Sequence, residues 1–241
     1  MALSVYVVAV ERGLLSGAEA IARTLTLLRF FHSCRQGPEP DAAGYKGFYY
    51  HFLDMQTGRR AGQCELSTID TAIFMAGVIT AANYFTGKGD RESEIRELAD
   101  GLYRRVDWEW ALNNGTTICH GWKPESGFLP YRWDTGYSEA LILYALALGS
   151  RTFPIDPKGY TDWTSTFEWE KNYGIERLYA GPLFIHQMSI CGWIFAAYTK
   201  TLTEKQGSII LRTAGGLPAC KDNMESRIPR DFLTITNMVG D

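Results

Sequence analysis

The sequence predicts an all-α protein built of paired helices, and three observations carry the prediction. Apolar residues recur at helical spacing in about six separate segments. The links between those segments are short, irregular or hairpin-like. No strand-helix-strand alternation runs through the chain, so a parallel sheet with crossover helices is excluded.

The elements follow in order. Residues 17–34 place Ala18, Ile21, Leu25, Leu28 and Phe31 on one face, and the run RQGPEPDAAG then stops the helix with prolines and glycines. His32 near its end reads as a capping or packing histidine. Residues 47–62 alternate aromatics, with Phe48, Tyr50 and Phe52 set against Tyr49, His51 and Leu53, and a Thr57-Gly58 turn suggests a hairpin. Ser67 or Thr68 can then cap a helix carrying Ile69, Ile73, Ala76, Ile79 and Ala82. Its alanines and glycines permit close packing.

Residues 90–106 give a second amphipathic helix on Ile95, Leu98, Leu102 and Val106, whose charged side faces solvent. Asn113-Asn114-Gly115 suggests a hairpin turn. Residues 137–148 predict a helix with Glu139 in its first turn, and residues 161–173 and 181–197 predict two more, joined at Gly181-Pro182.

Composition narrows the function. With 241 residues, 46% of them hydrophobic, the chain can bury a substantial core without disulfides or metals. A net charge of -3 and no basic stripe argue against nucleic acid. The five cysteines are odd in number and never spaced C-x-x-C, and the four histidines show no metal-ligand spacing, so no protein-built metal site is expected, which leaves carboxylate-held calcium open. No run reaches the roughly 18 apolar residues of a membrane span. Residues 1–10 are apolar but lack a basic leader before them, which makes a poor export signal. Oligomeric state is not legible here.

The chemistry concentrates in residues 121–140, GWKPESGFLPYRWDTGYSEA, where Glu125, Asp134 and Glu139 stand among Trp122, Tyr131 and Trp133. Aromatic faces stack on the C–H face of a pyranose, while carboxylates bind hydroxyls or move protons. The plainer alternative is a surface loop whose aromatics pack on a core. Glu65 and Asp70 bracket the start of the helix after Ser67, where carboxylates also serve simply to complement the helix dipole. Glu65/Asp70 and Asp134/Glu139 thus share one arrangement, acidic residues at the start of an apolar helix.

Several long motifs in order, GFYYHFLDMQTGRRAGQCELSTIDTAIFMAG, LADGLYRRVDWEWALNNG, GWKPESGFLPYRWDTGYSEALILYALALGS and GPLFIHQ, resemble the bacterial glucoamylase-like family over residues 44–187. That resemblance implies an (α/α)6 toroid, here a partial one with short β-hairpin insertions. It also implies a glycoside hydrolase acting on a glucan, since the family includes endo-β-1,2-glucanases and domains of cyclic β-1,2-glucan synthases. Carried over by motif, Glu139 and Glu65 are the leading catalytic carboxylates, with Asp70 and Asp134 as supporting or alternative acids. Trp122, Tyr131 and Trp133 would stack glucose rings, and His51, Lys123, Glu125 and His186 would bind hydroxyls. The expected partner is an oligo- or polysaccharide; no cofactor is implied. Exported relatives are compatible with a periplasmic or extracellular address, but residues 1–10 show no export signal and the compartment is not legible in the sequence.

After GPLFIHQMS the resemblance stops. Relatives continue with W-x-D-F-R-G-I and later D-Y-F-E-N-S-R, whereas this chain continues ICGWIFAAYTK. A shifted reading of codons for Ile190 to Lys200 can give L-W-L-D-F-R-G-I-Y-E, and two later segments in the same frame can also give family-like sequence. The expectation is therefore an incomplete toroid domain over residues 1–189 and a frameshifted tail over residues 190–241. The alternative function is a truncated, non-catalytic fragment that at most binds carbohydrate.

Overall fold

The computed structural model describes residues 1–188. The expected frameshifted tail and most of the helix over 181–197 lie outside the described residues. The described part is mainly helical and adds a small antiparallel sheet.

Six α-helices with both ends among the described residues are α1 (Ala2–Glu11), α2 (Gly17–Ser33), α3 (Thr68–Tyr84), α4 (Asp90–Arg105), α5 (Leu141–Leu148) and α6 (Pro157–Thr164), and a further helical segment covers residues 183–188. Helix α3 is the hub, packing against α1, α4 and α5. It is apolar on nearly every side, so Ala72, Met75, Val78 and Ala81 are all fully buried. Leu3 of α1 packs over Gly77, where an added Cβ would sit in ordinary contact with it. Helix α4 is amphipathic as expected, burying Ile95, Ala99 and Leu102. Its Arg105 donates to the carbonyls of Phe31 and His32 at 2.8 and 3.0 Å, supplying partners for the last turn of α2.

The sheet is a five-stranded antiparallel meander of β1 (Gly44–Tyr45), β2 (Phe48–Tyr50), β3 (Leu66–Ser67), β4 (Gly121–Lys123) and β5 (Gly127–Phe128). The hairpin expected over residues 47–62 takes a different form. Phe48–Tyr50 pairs back onto β1 and forward onto β3, while the Thr57-Gly58 turn closes only one bridge, Leu53 to Arg60. The β1–β2 turn needs Lys46 and Gly47 at positive φ, 57° and 83°, which the sequence reading assigned to no turn. Asn113 and Asn114 do adopt left-handed backbone, but they end a 3-10 turn (Trp110–Leu112) instead of joining two strands.

Three further differences matter. Residues 2–11 are helical although their apolar run was weighed only as an export signal. The helix expected over 161–173 is instead α6, started by the Asp156 cap and Pro157, followed by a hairpin of β6 (Trp169–Asn172) and β7 (Ile175–Leu178). Tyr173 and Gly174, both at positive φ, make its tight turn. Finally, α5 begins at Leu141, so Glu139 lies in the turn just before the helix and not within its first turn.

Candidate carbohydrate site

Strand β3 runs straight into α3 without a loop, which places Glu65, Ser67 and Asp70 around one helix N-terminus. Ser67 caps α3: its hydroxyl accepts from the Asp70 amide at 3.2 Å and donates to the Asp70 carboxylate at 2.6 Å. Thr71 ties the same turn to the sheet, accepting from the Tyr49 amide and donating to the Ser67 carbonyl.

His51 stands between the two acids. Its Nδ1 is 2.7 Å from Glu65 Oε1 and its Nε2 is 3.7 Å from Asp70 Oδ2, with the ring stacked on Phe52 at 4.3 Å. Burial works to raise the Glu65 pKa. The hydrogen bond to His51, a backbone bond and the charges of His51 and Lys123 outweigh it and hold the carboxyl below its ordinary range. Glu65 is half-buried and Asp70 exposed.

Asp134 and Glu139 sit on the loop leading to α5, and that loop is anchored from three sides. Arg132 donates to the carbonyls of Leu112 and Thr117 at 3.0 and 2.5 Å. Tyr144 of α5 donates to the Trp133 carbonyl at 2.7 Å. Trp163 of α6 donates to the Gly136 carbonyl at 2.8 Å, and its ring stacks on Tyr144. The aromatic packing of α5 and α6 therefore sets where the acidic loop lies. An open cleft of about 370 Å³ runs along this loop, lined by His120, Tyr131, Arg132, Trp133, Asp134 and Ser138 among others.

The two acidic helix starts are joined through Thr68, a fully buried residue. Its Oγ1 lies 2.8 Å from the Cys119 carbonyl and 2.9 Å from the His120 carbonyl, and it accepts a hydrogen bond from Trp133 Nε1 at 3.1 Å. The first residue of α3 thus holds both the strand leading to β4 and the indole beside Asp134. His120 in turn stacks on Trp133 with centroids 3.9 Å apart.

The expected sugar-binding residues divide accordingly. Tyr131, two-thirds exposed, and Trp133 line the cleft. Trp122 lies on β4, edge-on to Trp110 and tilted against Tyr45, so its ring is largely engaged by the protein. Glu125 is held by Arg60, whose side chain is 1% exposed and reaches the two carboxylate oxygens at 2.6 and 3.1 Å. That hydrogen bond above all keeps Glu125 below the ordinary carboxylate range. Its place is beside Arg60, away from the cleft lining. Lys123 sits on β4 within electrostatic reach of Glu65 and Glu125. His186 lies on a helical turn over residues 183–188, 5.4 Å from the Tyr137 ring, and is not among the cleft-lining residues. Thr68, His120 and Arg132 were missed by the sequence reading, because their roles depend on strand register between segments some 50 residues apart. No group of three or more His, Cys, Asp or Glu residues among the described residues is arranged to hold a metal ion. No helix among them is long and apolar enough to cross a membrane.

Comparison with known proteins finds likeness of sequence and fold. The family model "Glycoamylase: Putative glucoamylase" matches residues 130–206, which includes the acidic loop and α5. The exo β-1,2-glucooligosaccharide sophorohydrolase (non-reducing end) of Parabacteroides distasonis is 26% identical over 175 residues, covering 69% of this chain and 23% of that protein. A solved structure from Bacteroides fragilis, carrying the same glucoamylase description, aligns with a TM-score of 0.65 at 26% identity over 78% of this chain and 46% of its own. The endo-β-1,2-glucanase of Chitinophaga pinensis, solved with sophorotriose and glucose, aligns with a TM-score of 0.62 at 22% identity over 78% of this chain and 47% of its own. The chain thus spans less than half the length of these relatives. In its ordered motifs, in the family model matched over residues 130–206 and in its fold, the chain is similar to the glucoamylase-like family.

Proposed function

We propose that this chain carries part of a glycoside hydrolase site acting on a glucan, with β-1,2-glucan the substrate favoured by its relatives, and that residues 1–189 belong to an (α/α)6 toroid. The observation that carries the reading is the Thr68 junction. It ties the Glu65/Asp70 helix start to the cleft beside Asp134, so that carboxylates some 70 residues apart in sequence belong to one framework.

The chemistry would need one carboxylic acid that protonates the glycosidic oxygen as the C–O bond breaks, and one carboxylate that activates water or attacks the anomeric carbon. Glu65, kept ionised by His51, suits the second task. Glu139, half-buried at the end of the aromatic loop, is assigned the first, with Asp134 and Asp70 in support. Tyr131 offers an exposed ring for a pyranose face, and a hydroxyl-rich substrate would find polar groups beside it in Asp134 and Ser138 of the same lining.

The test is hydrolysis of β-1,2-glucan and sophorooligosaccharides by the full chain, followed by reducing-sugar release. Glu139→Gln should lower kcat at least about a hundredfold, the usual contribution of a positioned general acid. Hydrolysis by this variant equal to that of the unsubstituted chain would overturn the assignment.

A further inference from the structure

We propose that His120 is a further substrate-binding residue of the cleft, an imidazole clamped flat on Trp133 that presents one ring nitrogen as an acceptor for a sugar hydroxyl. The inference rests on the glucan reading above and adds to it a residue that neither the motifs nor the family match assigned.

Three observations place it there. His120 lines the cleft together with Tyr131, Arg132, Trp133 and Asp134. Its ring is stacked on Trp133 at 3.9 Å with an interplanar angle of 24°, and its backbone amide donates to the Tyr131 carbonyl at 2.9 Å, so neither the ring nor the strand beneath it is loose. The Arg132 backbone lies beside the ring and favours its N–H.

The protonation state fits an acceptor. Burial depresses the His120 pKa, and the Arg132 backbone bond and the nearby charges of Glu139 and Asp134 oppose that only in part. The imidazole is therefore neutral at pH 7, with one nitrogen as donor and the other as acceptor. With the Arg132 backbone beside one nitrogen, the other is the acceptor proposed for a ligand. The neighbouring Asp134 and Glu139 are acceptors as well, so this edge of the cleft is matched to a ligand rich in O–H donors. The stack on Trp133 has a second consequence. One indole face is already covered by His120, so the exposed Tyr131 ring, not that Trp133 face, is the platform next to His120.

Three substitutions separate this role from simple packing. His120→Phe keeps a flat ring on Trp133 and deletes the acceptor, whereas His120→Asn and His120→Gln keep a polar group near one or other ring nitrogen. With sophorotriose as the probe, measured by calorimetric titration and by KM and kcat for its hydrolysis, His120→Phe should bind about five- to tenfold more weakly, the loss of one neutral hydrogen bond. Its kcat should stay within about twofold, and one of the two amide variants should recover most of the affinity. His120→Phe binding sophorotriose as tightly as the unsubstituted chain would overturn the proposal. So would equal weakening in all three variants, which would assign His120 to packing. If His120→Phe does not fold, the two amide variants against His120→Ala decide by the same criterion. An unsubstituted chain that neither binds nor hydrolyses sophorotriose would instead refute the glucan reading, and this inference with it.

Discussion

Replacing Thr68 by valine keeps the shape of the side chain and removes one hydroxyl, and the structure says what that hydroxyl holds. It donates toward the Cys119 and His120 carbonyls and accepts from the Trp133 indole, in a position 1% exposed. The donated bond contributes about 1 kcal/mol net, and leaving a half-buried indole N–H without its acceptor costs a further ~1–3 kcal/mol. The backbone bond from the Thr68 amide to the His120 carbonyl at 3.2 Å survives the change, so the strand is not released altogether. The sum, about 2–4 kcal/mol, corresponds to a fall in Tm of roughly 5–15 °C for a domain of this size. Thermal unfolding followed by far-ultraviolet dichroism measures that fall. A double-mutant cycle with Trp133→Phe should give a coupling of about 1 kcal/mol, because each change removes the same hydrogen bond. A Tm unchanged within about 2 °C, with Trp133→Phe costing the same in both backgrounds, would refute the view that Thr68 ties the two acidic helix starts together.

Two other outcomes follow from the geometry. His51→Phe removes the hydrogen bond that helps hold Glu65 ionised. A carboxyl whose folded pKa lies below its ordinary 4.5 adds stability above that value and loses it as pH falls through the folded pKa, so the Tm gap between the two proteins should be present at neutrality and close as the pH is taken below 4.5. A gap that is constant with pH would remove His51 from that role. Gly47→Ala should cost about 2–4 kcal/mol in chemical denaturation, since φ is 83° and the new Cβ would press on the Arg105 carbonyl and the Val106 Cα; a loss below about 0.5 kcal/mol would contradict the observed β1–β2 turn.

Much of the helical frame is legible in the sequence because its signals are local. Ser16 and Ser67 cap α2 and α3 by bonding the amides three residues on, and α4 carries acids in its first turn and arginines in its last, as the helix dipole favours. Where two local signals compete, the reading fails. Trp163 and Phe167 lie four apart and read as one helical face, yet the chain leaves the helix after Thr164, and Tyr173-Gly174 turns the following segment into a hairpin. The same ambiguity hides α1, whose ten residues are apolar enough to be weighed as a leader while Leu3 packs on Gly77 of α3.

The candidate site was legible in its residue types and not in its partnerships. Glu65, Asp70, Asp134 and Glu139 stand out because carboxylates beside aromatic rings are chemically suggestive wherever they occur. Nothing in the sequence tells Glu125 from the others, and only the fold sets a buried Arg60 against it. Nor can spacing reveal His120 beside Trp133. The chain reverses direction between them, the Cys119–Arg132 bridge fixes the register, and the amides of His120 and Trp133 bond the carbonyls of Tyr131 and Ile118. A slip of one residue in that pairing would turn His120 to the other face and expose the Trp133 ring it covers. The proposed hydroxyl-binding chemistry at this edge of the cleft therefore depends on backbone register as much as on side-chain identity. Thr68 is the residue that secures that register from the opposite strand, since it bonds the His120 carbonyl through both its amide and its hydroxyl. On the proposed glucan reading, a substitution at Thr68 should accordingly weaken sophorotriose binding in proportion to its effect on these bonds, although its own side chain, fully buried, reaches the cleft lining only through the His120 carbonyl and the Trp133 indole.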